Sequence, residues 1–192
     1  RPMKTPEAGT EVYAPFAYTG DGVSRRSLTT TLPYPDMLIA KRKAEVVNTL
    51  NSSRLTGANA VFTNTTAAES GYGQIWDYQG VVLPASYWLN SSAVDYSLHA
   101  FKRATGFFDV VCYTGTGVAK TEAHNLGVVP ELMIAKRRNV ARNWPVTYAT
   151  AATQGFGMYL DDTGVEQNTT SGWTSTAPTA SVFSLGTSAD TN

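Results

Sequence analysis

The residues best equipped for chemistry follow an apolar run: Lys136-Arg137-Arg138, then Arg142, then Trp144. A guanidinium beside an aromatic ring can stack on a base or a sugar and can hold an anionic glycan. Arg138, Arg142, Trp144 and Trp173 are therefore the candidate ligand or subunit contacts. The same run also reads as a strand end whose charges keep an edge soluble or pair with acids on a neighbouring subunit. Trp76, Tyr87-Trp88 and Trp173 could form a sugar-stacking platform, or could fill a core.

Other chemistry has thin support. The two histidines, His99 in an alternating stretch and His124 in a turn, lack the clustered Cys, His or carboxylate partners of a metal site. Asp161-Asp162 could bind calcium or serve as paired carboxylates, but two acids before Thr-Gly also make an ordinary turn. No Gly-x-Ser-x-Gly nucleophile elbow is present. Gly20-x-Gly22 and Gly115-x-Gly117 lack the third glycine and the lysine of phosphate loops, and read as hairpin turns. The expectation is a non-enzyme with no cofactor and no metal.

What must position these residues is a stretch that occurs twice. Pro35-Asp36-Met37-Leu38-Ile39-Ala40-Lys41-Arg42-Lys43 returns about 95 residues later as Pro130-Glu131-Leu132-Met133-Ile134-Ala135-Lys136-Arg137-Arg138. Tyr18-Thr19-Gly20-Asp21-Gly22 returns at the same spacing as Tyr113-Thr114-Gly115-Thr116-Gly117. Two matches at one spacing signal a tandem repeat. The apolar centre with its basic exit reads as the central buried strand of each unit, and only the second exit is followed by Arg142 and Trp144.

Composition agrees with a β protein. Charged residues are 16% of the chain, below the roughly 25% of a typical soluble domain. Fifteen basic and fifteen acidic residues cancel, which leaves no net field to draw nucleic acid or an anionic membrane. No run approaches the roughly 18–20 apolar residues of a membrane-spanning helix, so membrane insertion is not expected. Cys112 has no intrachain partner and is expected to be a small core side chain.

Strand signals recur along the chain. Residues 12–18, 36–43, 58–63, 74–78, 80–83 and 95–103 read as strands in the first unit, with Pro15 implying an edge position or a bulge. In residues 95–103, Tyr96, Leu98 and Ala100 share one face and Ser97, His99 and Phe101 the other. Residues 44–55 could hold a helical turn or a strand. The second unit shows strand signals at 107–113, 130–138, 143–148, 157–160 and 181–185. The reading is all-β, with residues 1–11 as a linker or arm. Two tandem β-sandwich-like (jelly-roll-like) units follow, 12–106 and 107–192. The second has nothing matching residues 95–103, so it is expected to lack its closing strand and to continue in a longer chain.

In unit two, the Tyr113-to-Gly117 turn is followed by His124-Asn125-Leu126-Gly127, Val129-Pro130-Glu131, Lys136-Arg137-Arg138, Asn143-Trp144, Trp173 and residues 181–186. In that order they resemble a repeated β domain of uncharacterised function found in structural, tail-fibre-like proteins of tailed phages and marine viruses. In unit one, residues 96–107 resemble its closing strand and Gly-Phe exit, while Leu28 to Thr31 depart from its His-x-Leu-Gly turn. The resemblance implies a structural virion protein, a module of a tail fibre, appendage or decoration protein. Its partners would be copies of itself and other virion proteins. The alternative is a carbohydrate- or receptor-binding module on the virion surface, with a host glycan as ligand.

Overall fold

The computed structural model describes residues 3–78, 80–148 and 155–192. It is all-β, and divides into two compact units. Unit 1 holds residues up to Thr63 and Glu69–Val110; unit 2 holds Asn64–Ala68 and Val111–Asn192. The expected linker, residues 1–11, thus belongs with unit 1, although Arg1 and Pro2 lie outside the described residues. Its Lys4 carbonyl accepts from the Thr105 amide at 3.3 Å.

Unit 1 pairs a large sheet with a small one. Strands β1 (Tyr13–Thr19), β3 (Met37–Arg42), β4 (Leu50–Ser53), β5 (Asn59–Phe62), β6 (Ser70–Gly71) and β9 (Asp95–Phe101) form the first, in the order β1-β9-β3-β4-β5-β6. Strands β2 (Arg26–Thr29), β7 (Ile75–Trp76) and β8 (Gly80–Leu83) form the second, in the order β2-β8-β7. Tyr96, Leu98 and Ala100 of β9, each 0% exposed, meet Leu38 and Ala40 of β3 and Leu28, Val81 and Leu83 of the small sheet in one apolar cluster. Period-two alternation sends these side chains inward and Ser97, His99 and Phe101 outward, as the sequence predicts. Pro15 is tolerated because β1 is an edge strand. Residues 44–55 contain no α-helix: the chain reaches β4 and then a short 3-10 turn, Arg54–Thr56.

Unit 2 repeats this plan with fewer strands. Strands β11 (Leu132–Ile134), β12 (Pro145–Tyr148), β13 (Phe156–Tyr159) and β14 (Gln167–Asn168) form a sheet in that order, matching β3-β4-β5-β6. Strands β10 (Lys120–Ala123) and β15 (Val182–Leu185) pair as β2 and β8 do. The described residues of unit 2 contain no counterpart of β9.

Three sequence expectations change in consequence. Residues 107–113 form no strand, because their counterpart β1 pairs only with β9. Cys112 in that segment is exposed rather than a core side chain. The second repeat strand is not central and buried. It shrinks to β11, an edge strand with Leu132 58% and Ile134 47% exposed. Even β3 is not buried on both faces, since its residues alternate between buried and half-buried.

Candidate functional site

The basic exits of the repeated strands are internal fasteners. In unit 1, the Lys41 ammonium donates to the Val47 carbonyl. Arg42, 5% exposed, donates to the Tyr87 carbonyl at 3.3 Å and pairs with Glu45 at 2.5 Å. Its guanidinium lies 4.0 Å from the Tyr87 ring centroid, and the Tyr87 hydroxyl donates to Glu45 at 2.8 Å. In unit 2 the equivalent atoms repeat the pattern. Lys136 donates to the Arg142 carbonyl at 2.5 Å, and Arg137 to the Ala189 carbonyl at 3.3 Å. Lys136 also reaches the Thr66 carbonyl at 2.8 Å. Burial pulls its ammonium below the usual lysine range, against an opposing pull from Asp161 and Asp190. Each unit thus ties loop carbonyls with a lysine and with the arginine that follows it.

The four candidate contacts do not converge on an exposed surface. Trp144 is 4% exposed: its indole N–H donates to the Thr65 carbonyl at 3.1 Å, and its backbone amide donates to Asp161 at 2.8 Å. Trp173 is 3% exposed and packs in the unit 2 core with Ala135 and Leu185. Neither ring offers a face to a sugar. Arg142 is exposed and sits 3.8 Å from Asp190, while Arg138 is half-buried. Trp76 and Trp88, half-buried, pack against the unit 1 core.

The other titratable candidates hold local structure too. His124 accepts the Leu126 amide at Nδ1 (3.2 Å), which leaves Nε2 to donate to the Thr179 carbonyl at 3.2 Å. The Tyr13 hydroxyl and His99 Nδ1 are 2.7 Å apart. Asp162 accepts the Thr163 amide at 2.7 Å, so the Asp161-Asp162 pair shapes its loop. Among the described residues no three His, Cys, Asp or Glu side chains are grouped to hold a metal ion. No helix there is long and apolar enough to cross a membrane.

Sequence reasoning missed an asparagine clamp. Asn90, 0% exposed, accepts the Asp21 amide at 3.1 Å and donates to the Asp21 carboxylate at 2.8 Å and the Val23 carbonyl at 2.9 Å. Asn192 does the same work in unit 2. It accepts the Thr116 amide at 2.8 Å and donates to the Val118 carbonyl at 2.6 Å. Beside each clamp a tyrosine hydroxyl donates to the preceding carbonyl, Tyr18 to Leu89 and Tyr113 to Thr191. The glycine of the Tyr-Thr-Gly turn makes room for it: a Cβ on Gly20 would lie 2.0 Å from the Ser91 carbonyl oxygen. The signal was present, since an asparagine stands seven residues after both Leu83 and Leu185, but the constant repeat spacing hides it.

These features define a tandem all-β module whose shared polar residues bind its own loops. Residues 91–192, just over half of the chain, match the family model described as Domain of unknown function (DUF7483), and the chain belongs to that family. The match opens just ahead of β9 and runs through the whole of β10 to β15. No curated protein matches the chain, and no solved structure does.

Proposed function

We propose that the chain is a non-enzymatic structural module of a virion, part of a tail fibre, appendage or decoration protein, working by assembly with its own copies and other virion proteins. One observation carries this reading. The polar residues the two units share, Lys41/Lys136, Arg42/Arg137, Tyr18/Tyr113 and Asn90/Asn192, all bond carbonyls of their own unit. A repeated motif spent on loop geometry supports a part that is multiplied for its shape. The virion setting itself rests on the order of the motifs in unit 2. A glycan-binding role gains nothing from Trp144 and Trp173, whose rings lie in the interior.

The test is mass spectrometry of purified particles of the virus that encodes the chain. Its peptides should appear in stoichiometric amounts with other particle proteins. Recovery only from the infected-cell lysate, with none in particles, would overturn the proposal. A glycan array run alongside checks the binding alternative, which a specific signal would revive.

A further inference from the structure

Unit 1 carries an aromatic cluster that its fold does not call for. Tyr34 lies between Pro33 and Pro35 with a φ of 56°, in the left-handed region that a bulky side chain rarely enters. Its amide donates to the Tyr78 carbonyl at 3.0 Å, and the two rings meet edge to face with centroids 4.1 Å apart. Tyr78 is 59% exposed. The repeat shows that this tyrosine is no requirement of the plan. Pro35 returns as Pro130, and the residue ahead of it there is Val129, whose φ is not positive. Backbone strain of this kind gathers where a protein holds a side chain ready for a ligand.

Beside the tyrosines stands a guanidinium that is fixed but has no anion. Arg54 donates through Nε and Nη2 to the Pro35 carbonyl at 3.1 and 2.9 Å, and through Nη2 to the Asp77 carbonyl at 3.0 Å. Those carbonyls belong to the chain neighbours of Tyr34 and Tyr78. The guanidinium carbon is 5.2 Å from the Trp76 ring centroid, and the Trp76 indole N–H donates to the Gly57 carbonyl at 3.0 Å. Nε and Nη2 of the fork are thus engaged with carbonyls, and the two N–H groups of Nη1 remain. Among the described residues no carboxylate lies within ion-pair distance of Arg54. Two carbonyls and a ring hold the group still, so an anion that meets it costs little ordering entropy.

We propose that Tyr34, Arg54 and Tyr78, with Trp76 bracing the guanidinium, form a subsite for one hexuronic acid residue of an acidic saccharide. A pyranose has a flat C–H face that stacks on an exposed ring, and its carboxylate is the anion that Nη1 of Arg54 lacks. One cation suits one carboxylate per ring. A nucleic acid needs several cations along its backbone, and the chain carries no net charge to draw one. A proline-rich peptide would dock on the rings and leave the charge unused. The subsite stands whether or not the chain belongs to a virion, and it uses none of Arg138, Arg142, Trp144 and Trp173.

The test titrates the full chain with oligomers of galacturonic, glucuronic and mannuronic acid, read by calorimetry and by the NMR signals of the Arg54 guanidinium and the Trp76 indole. At least one acid should bind and shift both signals. Its methyl ester, which keeps the rings and loses the charge, should bind about tenfold more weakly or worse. Tyr78→Ala, at an exposed position, and Tyr34→Gly, which keeps the left-handed backbone, should each weaken binding by about tenfold. Amide exchange of β3 and β9 in both variants should match the parent, which separates a lost ring from a lost fold. Silence of all three acids, equal binding of acid and ester, or undiminished binding by the tyrosine variants would overturn the proposal. So would a proline-rich peptide that moves the same signals while the saccharides do not.

Discussion

Replacing Asn90 with Ala tests whether the asparagine clamp holds unit 1 closed. The side chain is fully buried and makes three close bonds, to the Asp21 amide, the Asp21 carboxylate and the Val23 carbonyl. A fourth, from Arg26 at 3.3 Å, is duplicated by the bond of that guanidinium to the Thr19 carbonyl. A typical internal hydrogen bond contributes about 1 kcal/mol net, and more where a partner is charged. Asp21 and Val23 are exposed, so water can rehydrate what the mutation frees, which holds the loss near the lower end of that range. The expected destabilisation is about 3 kcal/mol, or roughly a hundredfold faster opening-limited exchange. Native-state hydrogen exchange of the β1 and β9 amides reads it, with β12 and β13 amides of unit 2 as internal reference. Asn192→Ala should reverse the pattern with a smaller effect, because Asn192 is only half-buried. An Asn90→Ala change below about fivefold, or equal acceleration in both units, would refute the clamp.

Trp144→Ala should cost about 3–5 kcal/mol of unit 2 stability, as expected for deleting a buried aromatic. Trp144→Phe should cost far less while still freeing the Thr65 carbonyl, with faster exchange at residues 64–68 as the readout. Acid should loosen unit 1 selectively. The Val23 amide and Asn90 bond the Asp21 carboxylate and lower its pKa from the ordinary 3.8. The stability this gives is present above the unfolded value and lost as pH falls through the lower folded one. Exchange of unit 1 should thus accelerate below about pH 4, and Asp21→Asn should remove the response. At the alkaline end, burial first and Glu122 second push the Tyr113 phenol from 10.0 to about 12. Unit 2 should lose stability across that interval, and Tyr113→Phe should abolish the part due to this phenol.

Legibility of the sequence followed the range of the interaction. The alternation in residues 95–103 was readable because a strand between two others buries one face by a local period of two. The repeat was readable because its apolar centre and tight turn recur at one spacing. Residues 107–113 are an apolar, strand-like run, yet form no strand, because a strand needs a neighbour and local sequence does not record whether one is there. Cys112 was misjudged for the same reason. The tryptophans were ambiguous because an aromatic between turns suits a surface platform and a loop-covered core equally well; only packing shows that Trp144 and Trp173 take the second course. The basic exits looked like surface charge because their partners, the Val47, Tyr87, Arg142 and Ala189 carbonyls, are backbone atoms that any residue type supplies.

The family match begins ahead of β9, whereas β9 completes the sheet of unit 1. Heredity and folding therefore count this protein in different frames. A cut at the start of the match would take from unit 1 the strand whose Tyr96, Leu98 and Ala100 fill its core, so the stretch that is matched as one family is not a stretch that can be lifted out without unfolding what precedes it.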